Sequence, residues 1–233
     1  MNAVLKTLAR QNPKAALGDF RYEIKMPLDR MQFEDLLPSL YKLGLYPSTP
    51  FPDRRINSVY YDSANFSDYI DNTSGIGARR KTRIRWYNGD LSKLTLEQKI
   101  KSGKASRKET EKLGNADLVM PHTMDGTRQI LAQNTASIET QKLAQLRPVL
   151  EVQYDRQYFT LGPDLRMTID LGQKFRRLHG APARTQVKSP VYAVVEFKYP
   201  APTRLKMQAM LKNLPFRIFR HSKYVIGLEV TAA

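Results

Sequence analysis

Residues 79–87 read RRKTRIRWY, and in an extended chain they put Lys81, Arg83 and Arg85 on one side and Thr82, Ile84 and Trp86 on the other. Alternation of this kind is the period of a strand, and here the polar side is basic at each step. The pattern returns in three other stretches. In residues 21–26, RYEIKM, Arg21, Glu23 and Lys25 oppose Tyr22, Ile24 and Met26. In LRMTIDL, Arg166, Thr168 and Asp170 oppose Leu165, Met167, Ile169 and Leu171. In VYAVVEFKY, Glu196 and Lys198 oppose Val195, Phe197 and Tyr199. A half-buried antiparallel sheet needs no particular charges on its wet side, so each strand alone reads as a solvated face. Several such strands turned toward one another make a different object: a barrel with a polar lumen, its apolar surface outside under helices.

Further strands are expected at Ile56 to Asp62, Leu94 to Lys101, Val149 to Thr160 and Phe216 to Arg220, each rich in β-branched or aromatic residues and bounded by turn formers. Eight strands result. A helix is expected from Asp29, as N-cap with Gln32 three residues on, to Leu43, stopped by Gly44 and kinked or broken at Pro38. Others are expected around Gly126 to Gln145 and from Thr203, as cap, to Leu214. No repeat or linker divides the chain, so residues 1–19 read as a tail or short helix and residues 20–230 as one domain.

The 233 residues hold 38 Lys and Arg against 22 Asp and Glu, a net charge of +16, with no cysteine and three histidines. That excludes disulfides, cysteine nucleophiles and thiolate metal sites, and leaves little for zinc. With no run of about 18 apolar residues and no secretory leader pattern, the chain reads as cytoplasmic and unanchored. Its excess charge asks for an anionic partner.

Lys25, Arg83, Arg85, Lys99, Arg156, Arg166, Lys198 and Lys223, gathered in one place, would repel one another unless a polyanion sat among them. Arginine offers a planar fork to phosphate oxygens and lysine a point charge. The interleaved carboxylates Glu23, Glu97 and Glu196 have two readings: they pair with neighbouring bases, or they hold a hard divalent ion that bridges phosphate oxygens. Glu196, deep in an apolar strand, is the leading metal ligand. A nucleic-acid partner is not expected, because Tyr60, Tyr61, Trp86 and Tyr87 alternate with the bases and fall on the packed side.

Taken together, Arg21-Tyr22-Glu23-Ile24-Lys25, Val59-Tyr60-Tyr61-Asp62, Arg83-Ile84-Arg85-Trp86-Tyr87, Leu96-Glu97-Gln98-Lys99, Tyr154-Asp155-Arg156, Arg166 to Asp170, Glu196-Phe197-Lys198 and Ser222-Lys223-Tyr224 resemble the VTC domain, the catalytic module of the vacuolar transporter chaperone, within the triphosphate tunnel metalloenzyme (CYTH) superfamily. The resemblance spans residues 20 to 228. It implies a mainly β, α+β fold: an eight-stranded antiparallel tunnel barrel with flanking helices. It also implies synthesis of inorganic polyphosphate from ATP with Mn2+ or Mg2+. Lys25, Arg83, Arg85, Lys99, Arg156, Arg166 and Lys223 match basic residues of the tunnel, and Ser222 and Lys198 match substrate contacts. Arg220 and one of Arg107 or Lys108 correspond to bases near its mouth, and Glu196 stands where the family has its metal-binding glutamate. The superfamily's first strand typically carries two alternating glutamates before a lysine, whereas Arg21 replaces the first here, which favours the VTC branch over thiamine triphosphatase or class IV adenylyl cyclase. A tripolyphosphatase or nucleoside triphosphatase using the same tunnel, and a non-catalytic polyphosphate-binding module, are the competing readings.

Overall fold

The structure, a computed structural model, describes residues 21–102, 105–113, 120–134, 143–179 and 186–232. The expected tail at residues 1–19 and residues 135–142 of the helix expected over Gly126 to Gln145 lie outside these residues; the helix that is present runs Met124–Gln133 and ends at Asn134. Nine strands are present among the described residues, where eight were expected: β1 (Arg21–Leu28), β2 (Arg54–Asp62), β3 (Arg79–Tyr87), β4 (Asp90–Ser102), β5 (Ala105–Lys112), β6 (Arg147–Thr160), β7 (Arg166–Arg177), β8 (Val187–Lys188) and β9 (Ala193–Pro200). Their hydrogen-bonding order is β1-β9-β7-β6-β2-β3-β4-β5, an open path that ends at β1 and β5, with β8 attached to β7. The pairings whose registers are resolved are antiparallel. A mainly β fold with flanking helices is therefore what the alternation encodes.

The described residues form two compact units. The first holds those up to Arg54, Asp155–Gln173 and Pro190–His221; the second holds Arg55–Tyr154, Lys174–Ser189 and those from Ser222 on.

In the first unit, Ile24 and Met26 of β1, Met167 and Ile169 of β7, and Val195 and Phe197 of β9 share the apolar face. They are covered by α1 (Arg30–Glu34), α2 (Leu36–Lys42) and α5 (Arg204–Leu211) through Phe33, Leu36, Leu40, Met207 and Leu211. Asp29 caps α1 as expected: it accepts from Gln32 N at 2.9 Å while the Gln32 side chain accepts from Asp29 N at 3.1 Å. The expected single helix is two, and the break falls at Asp35, not Pro38. Pro38 is the third residue of α2, where no intrahelical partner existed for its missing N–H. Gly44, at φ +69°, ends α2, and the amides of Gly44 and Leu45 donate to the carbonyls of Tyr41 and Leu40 at 2.9 and 3.0 Å. Thr203 makes no cap bond; a short 3-10 turn, Ala201–Thr203, precedes α5 instead.

Phe216 to Arg220 is not a strand. Ile218 and Phe219 are both exposed, so the alternation breaks, and the segment meets β1 through the Phe219 amide, which donates to the Lys25 carbonyl at 3.0 Å.

In the second unit, Val59 and Tyr61 of β2, Ile84 and Trp86 of β3 and Leu94 and Leu96 of β4 pack on Ile130 of α4 (Met124–Gln133). Asn88 and Gly89, at φ 53° and 80°, turn β3 into β4. Tyr224 and Leu228 of α6 (Lys223–Val230) pack with Ile56, Val152 and Phe175. Tyr224 also donates its hydroxyl to Asp62, whose carboxylate accepts the amides of Asp68 and Tyr69 at the start of α3 (Ser67–Thr73), each at 2.9 Å. The Val59-to-Asp62 and Ser222-to-Tyr224 motifs thus meet in one packed unit.

Candidate functional site

Register builds the charged face of the second unit. Tyr60 and Ser58 of β2 lie opposite Arg83 and Arg85 of β3, and Glu97 of β4 lies opposite Arg83. Glu97, buried, accepts from Arg83 Nε at 2.7 Å and Lys108 Nζ at 2.6 Å, with Arg83 Nη2 at 2.6 Å and Arg85 Nη1 at 3.6 Å. Arg85, 6% exposed, donates to Ser58 Oγ at 3.2 Å and to the Tyr154 hydroxyl at 3.3 Å. Lys223 Nζ lies 4.6 Å from the Tyr154 ring centre, and Lys81 Nζ donates to Ser222 Oγ at 2.9 Å. Ser222 is also the N-cap of α6, accepting from Val225 N at 3.4 Å. A small cavity of about 70 Å³ opens among Tyr60, Lys81, Arg83, Glu97, Lys99 and Lys108.

The electrostatics follow from that company. Burial pushes the Glu97 carboxyl up, but Arg83, Arg85 and Lys108 outweigh it and hold the group well below the usual carboxylate range. Tyr60 is subject to the same contest: burial raises its hydroxyl, while the charges of Arg83, Arg85 and Lys223 draw it down to about 8. Tyr60 therefore meets the charges through its hydroxyl while its ring packs as expected, stacked on Tyr224 with 5.2 Å between ring centres. The Arg83 guanidinium donates to its hydroxyl at 2.8 Å. The face of β2 that carries Tyr60 was legible only from pairing with β3; Tyr61 and Trp86 do take the packed side.

In the first unit, the same cross-strand logic gathers a second set. Glu23 faces Lys198 and Lys25 faces Glu196 across β1 and β9, while Arg166 and Thr168 of β7 face Lys198 and Glu196. Lys25 Nζ lies 2.8 Å from Glu23 and 3.5 Å from Glu196, and Lys198 contacts Glu196 from its own strand. Lys25 Nζ also donates to the His221 carbonyl at 3.2 Å. Arg156 of β6 grips Asp170 with both arms, at 2.6 and 2.8 Å. Burial alone would raise the Glu196 carboxyl, yet Lys25, Lys198 and Arg156 hold it well below its ordinary value. Burial would likewise lower Lys25, but Glu196, Glu23 and Asp170 keep its ammonium charged to above the ordinary lysine range.

The expected site residues are thus divided. Lys25, Arg156, Arg166, Lys198, Glu23 and Glu196 gather in the first unit; Arg83, Arg85, Lys99, Lys108, Lys223, Ser222 and Glu97 gather in the second. Arg220 is exposed in the irregular segment before His221. Of the pair Arg107 and Lys108, Lys108 joins the Glu97 cluster, whereas Arg107 takes the register position opposite Ile100 and its side chain lies outside those described.

The two sets differ in their fitness for a hard cation. Among the described residues no group of three acidic or histidine side chains is placed to hold a metal unaided. Around Glu196, however, the donors are all oxygen: Glu196, Glu23 sharing Lys25 with it, and the Thr168 hydroxyl, which is buried without a partner among the described residues at the register position facing Glu196. One or two carboxylates completed by substrate phosphate oxygens is a donor set suited to Mg2+ or Mn2+. The Glu97 contacts, by comparison, are Arg83, Arg85 and Lys108.

A family model described as the VTC domain matches residues 20–232. No curated protein matches the chain in sequence. Among solved structures, the chain is similar to the PH1819 protein from Pyrococcus horikoshii, at 14% identity and a TM-score of 0.53 over 92% of this chain and 100% of that one. It is similar to a candidate adenylate cyclase from Vibrio parahaemolyticus, at 13% identity and a TM-score of 0.50 over 93% and 99%. Another candidate adenylate cyclase, from Bacillus halodurans, is similar at 12% identity and a TM-score of 0.51 over 86% and 92%. At these identities the likeness is one of fold, and the fold is the triphosphate tunnel fold.

Proposed function

This chain belongs to the VTC domain family, and on that premise we propose that it is an ATP:polyphosphate phosphotransferase, moving the γ-phosphate of ATP onto a growing inorganic polyphosphate chain inside a basic tunnel. Triphosphate tunnel proteins bind triphosphate substrates and generally depend on a divalent metal. The observation that carries the reading is the Glu97 cluster, a buried carboxylate in contact with Arg83, Arg85 and Lys108 beside a cavity that Lys81 and Lys99 also line. Such an excess of cation is neutralised by a polyanion, and mixed Arg and Lys suits a chain of phosphates.

In this reading Arg83 and Arg85 fork onto phosphate oxygens, and Lys99, Lys108 and Lys223 add point charges. Glu97 keeps the two guanidinium groups aimed. Ser222 and the first turn of α6 offer a hydroxyl and backbone amides to a phosphate. In the first unit, Lys25, Arg156, Arg166, Lys198 and Arg220 offer further basic contacts to phosphate. Glu196, with Glu23, would hold Mn2+ or Mg2+, which supplies neutralisation of the charge developing on phosphate oxygens. A terminal oxygen of the acceptor attacks the γ-phosphorus in line; the new P–O bond forms as the bond to the ADP oxygen breaks, and ADP leaves with that electron pair. No side-chain nucleophile takes part.

ATP and polyphosphate are the proposed partners, and the cytoplasm the proposed place of action. Nucleic acid is not proposed as a partner, because Tyr61 and Trp86 pack in an apolar cluster and do not offer their rings to bases. No helix among the described residues is long and apolar enough to cross a membrane.

The test is to incubate the protein with ATP and Mn2+ and resolve phosphate chains on a gel while measuring ADP and free phosphate. Chains with matching ADP are expected. Free phosphate alone would make the protein a tunnel hydrolase, and tight polyphosphate binding without turnover a binding module.

A further inference from the structure

The second unit holds another cavity, of about 330 Å³, lined by His122, Thr123, Arg128, Arg147 and His179, with Met124, Pro148 and Leu178 as its apolar wall. None of these is a carboxylate. The volume is near the lower end of the range of small-molecule pockets, about 300–1,000 Å³.

His122 is held from behind. Its Nε2 lies 3.0 Å from Glu151 Oε1, and Arg176 Nε donates to the other carboxylate oxygen at 2.6 Å. Burial pushes the Glu151 carboxyl up, but His122 and Arg176 outweigh it and keep the group below its ordinary range, so it accepts and the imidazole donates from Nε2. Nδ1 is thereby turned away from Glu151, and it is buried without a partner among the described residues.

The remaining wall is cationic and adaptable. Arg128 pairs with Asp125 at 3.0 Å, but the two side chains are 72% and 85% exposed, so the pair is weak and easily redirected. Arg147 is exposed at the start of β6. Thr123 caps α4 by accepting from Gly126 N at 3.0 Å, leaving the positive end of a ten-residue helix beside the arginines.

We propose that this cavity binds a nucleoside phosphate at a site separate from the Glu97 and Glu196 clusters, with Arg128 and Arg147 on the phosphate beside the first turn of α4, and Met124, Pro148 and Leu178 against the organic part. The proposal concerns binding and does not depend on the reaction proposed above.

ADP is the probe. In the Arg83→Ala/Arg85→Ala protein, calorimetric titration is expected to show one saturable ADP site, and adding Arg128→Ala/Arg147→Ala is expected to weaken it at least tenfold. Both new positions are exposed, so the wild-type background offers a second measurement that does not disturb the Glu97 cluster: the number of ADP molecules bound falls by one on Arg128→Ala/Arg147→Ala. Absence of a saturable site in the first protein, or affinity and stoichiometry unmoved by the Arg128 and Arg147 changes, overturns the proposal.

Discussion

Glu97 and Glu196 are both buried carboxylates on the charged faces of strands, and both are held below the ordinary carboxylate range by neighbouring cations. Their company differs. Glu97 stands among arginines and lysines and is gripped by Arg83, Arg85 and Lys108. Glu196 stands in a set whose charges nearly alternate: Glu23 against Lys198, Lys25 against Glu196, Arg156 against Asp170. A nearly balanced set can accept a divalent ion when an anionic substrate joins it, whereas a strongly positive one attracts the substrate itself. The proposed function therefore gives the two glutamates opposite work, Glu97 aiming cations and Glu196 holding a metal.

The largest expected effect tests that assignment at the metal. Glu196→Gln keeps the shape and removes the charge, and metal-dependent ADP release is expected to fall by about 100-fold, in line with losses on removing a metal-site group. A variant with full Mn2+-dependent turnover would remove Glu196 from the site. Next is the anion grip. Arg83→Ala with Arg85→Ala removes two charge-assisted donors worth about 1.5 kcal/mol or more each, so tripolyphosphate affinity by calorimetry is expected to fall about 100-fold. Unchanged affinity would erase the contrast between the two sets.

Acid sharpens the comparison through stability. Both carboxyls have folded values depressed below the ordinary unfolded value of about 4.3, so the unfolded chain takes up protons first as pH falls. Their contribution is fully present above that value and is lost as pH drops through the folded values. The urea midpoint should hold from pH 7 to about 5 and fall below about 4. Glu97→Gln leaves buried Arg85 without its charge partner and is expected to cost about 3 kcal/mol at pH 7, with a shallower acid loss.

The smallest signal is spectroscopic. Tyr60, drawn to about 8, should ionise ahead of ordinary tyrosines, visible as phenolate absorbance lost in Tyr60→Phe. Tripolyphosphate, by neutralising Arg83, Arg85 and Lys223, should move that ionisation upward. If bound anion leaves the titration in place, the anion does not sit beside Tyr60.

Much of this was legible in the alternating strands, because β3, β7 and β9 write their two faces directly into period-two sequence. What was not legible depended on a partner. β5, ASRKETEK, has no apolar side to announce it and is a strand because β4 pairs along its whole length. FRIFR has the composition of a strand but only a loose attachment to β1. Tyr60 and Tyr61 are adjacent letters, and only the register with Arg83 decides which one meets the charges. The Asn88-Gly89 pair carried a turn signal that goes unused unless the flanking strands are read as a hairpin. Local caps such as Asp29 with Gln32 were readable because they need nothing beyond four residues.

The most direct measurement of the central claim is Mn2+ binding in the presence of tripolyphosphate, followed by electron paramagnetic resonance of the free ion, in wild type, Glu196→Gln and Glu97→Gln. The division of labour predicts that Glu196→Gln weakens Mn2+ at least tenfold while Glu97→Gln leaves Mn2+ affinity at saturating tripolyphosphate near that of wild type. Equal losses in both variants, or loss in Glu97→Gln alone, would contradict it.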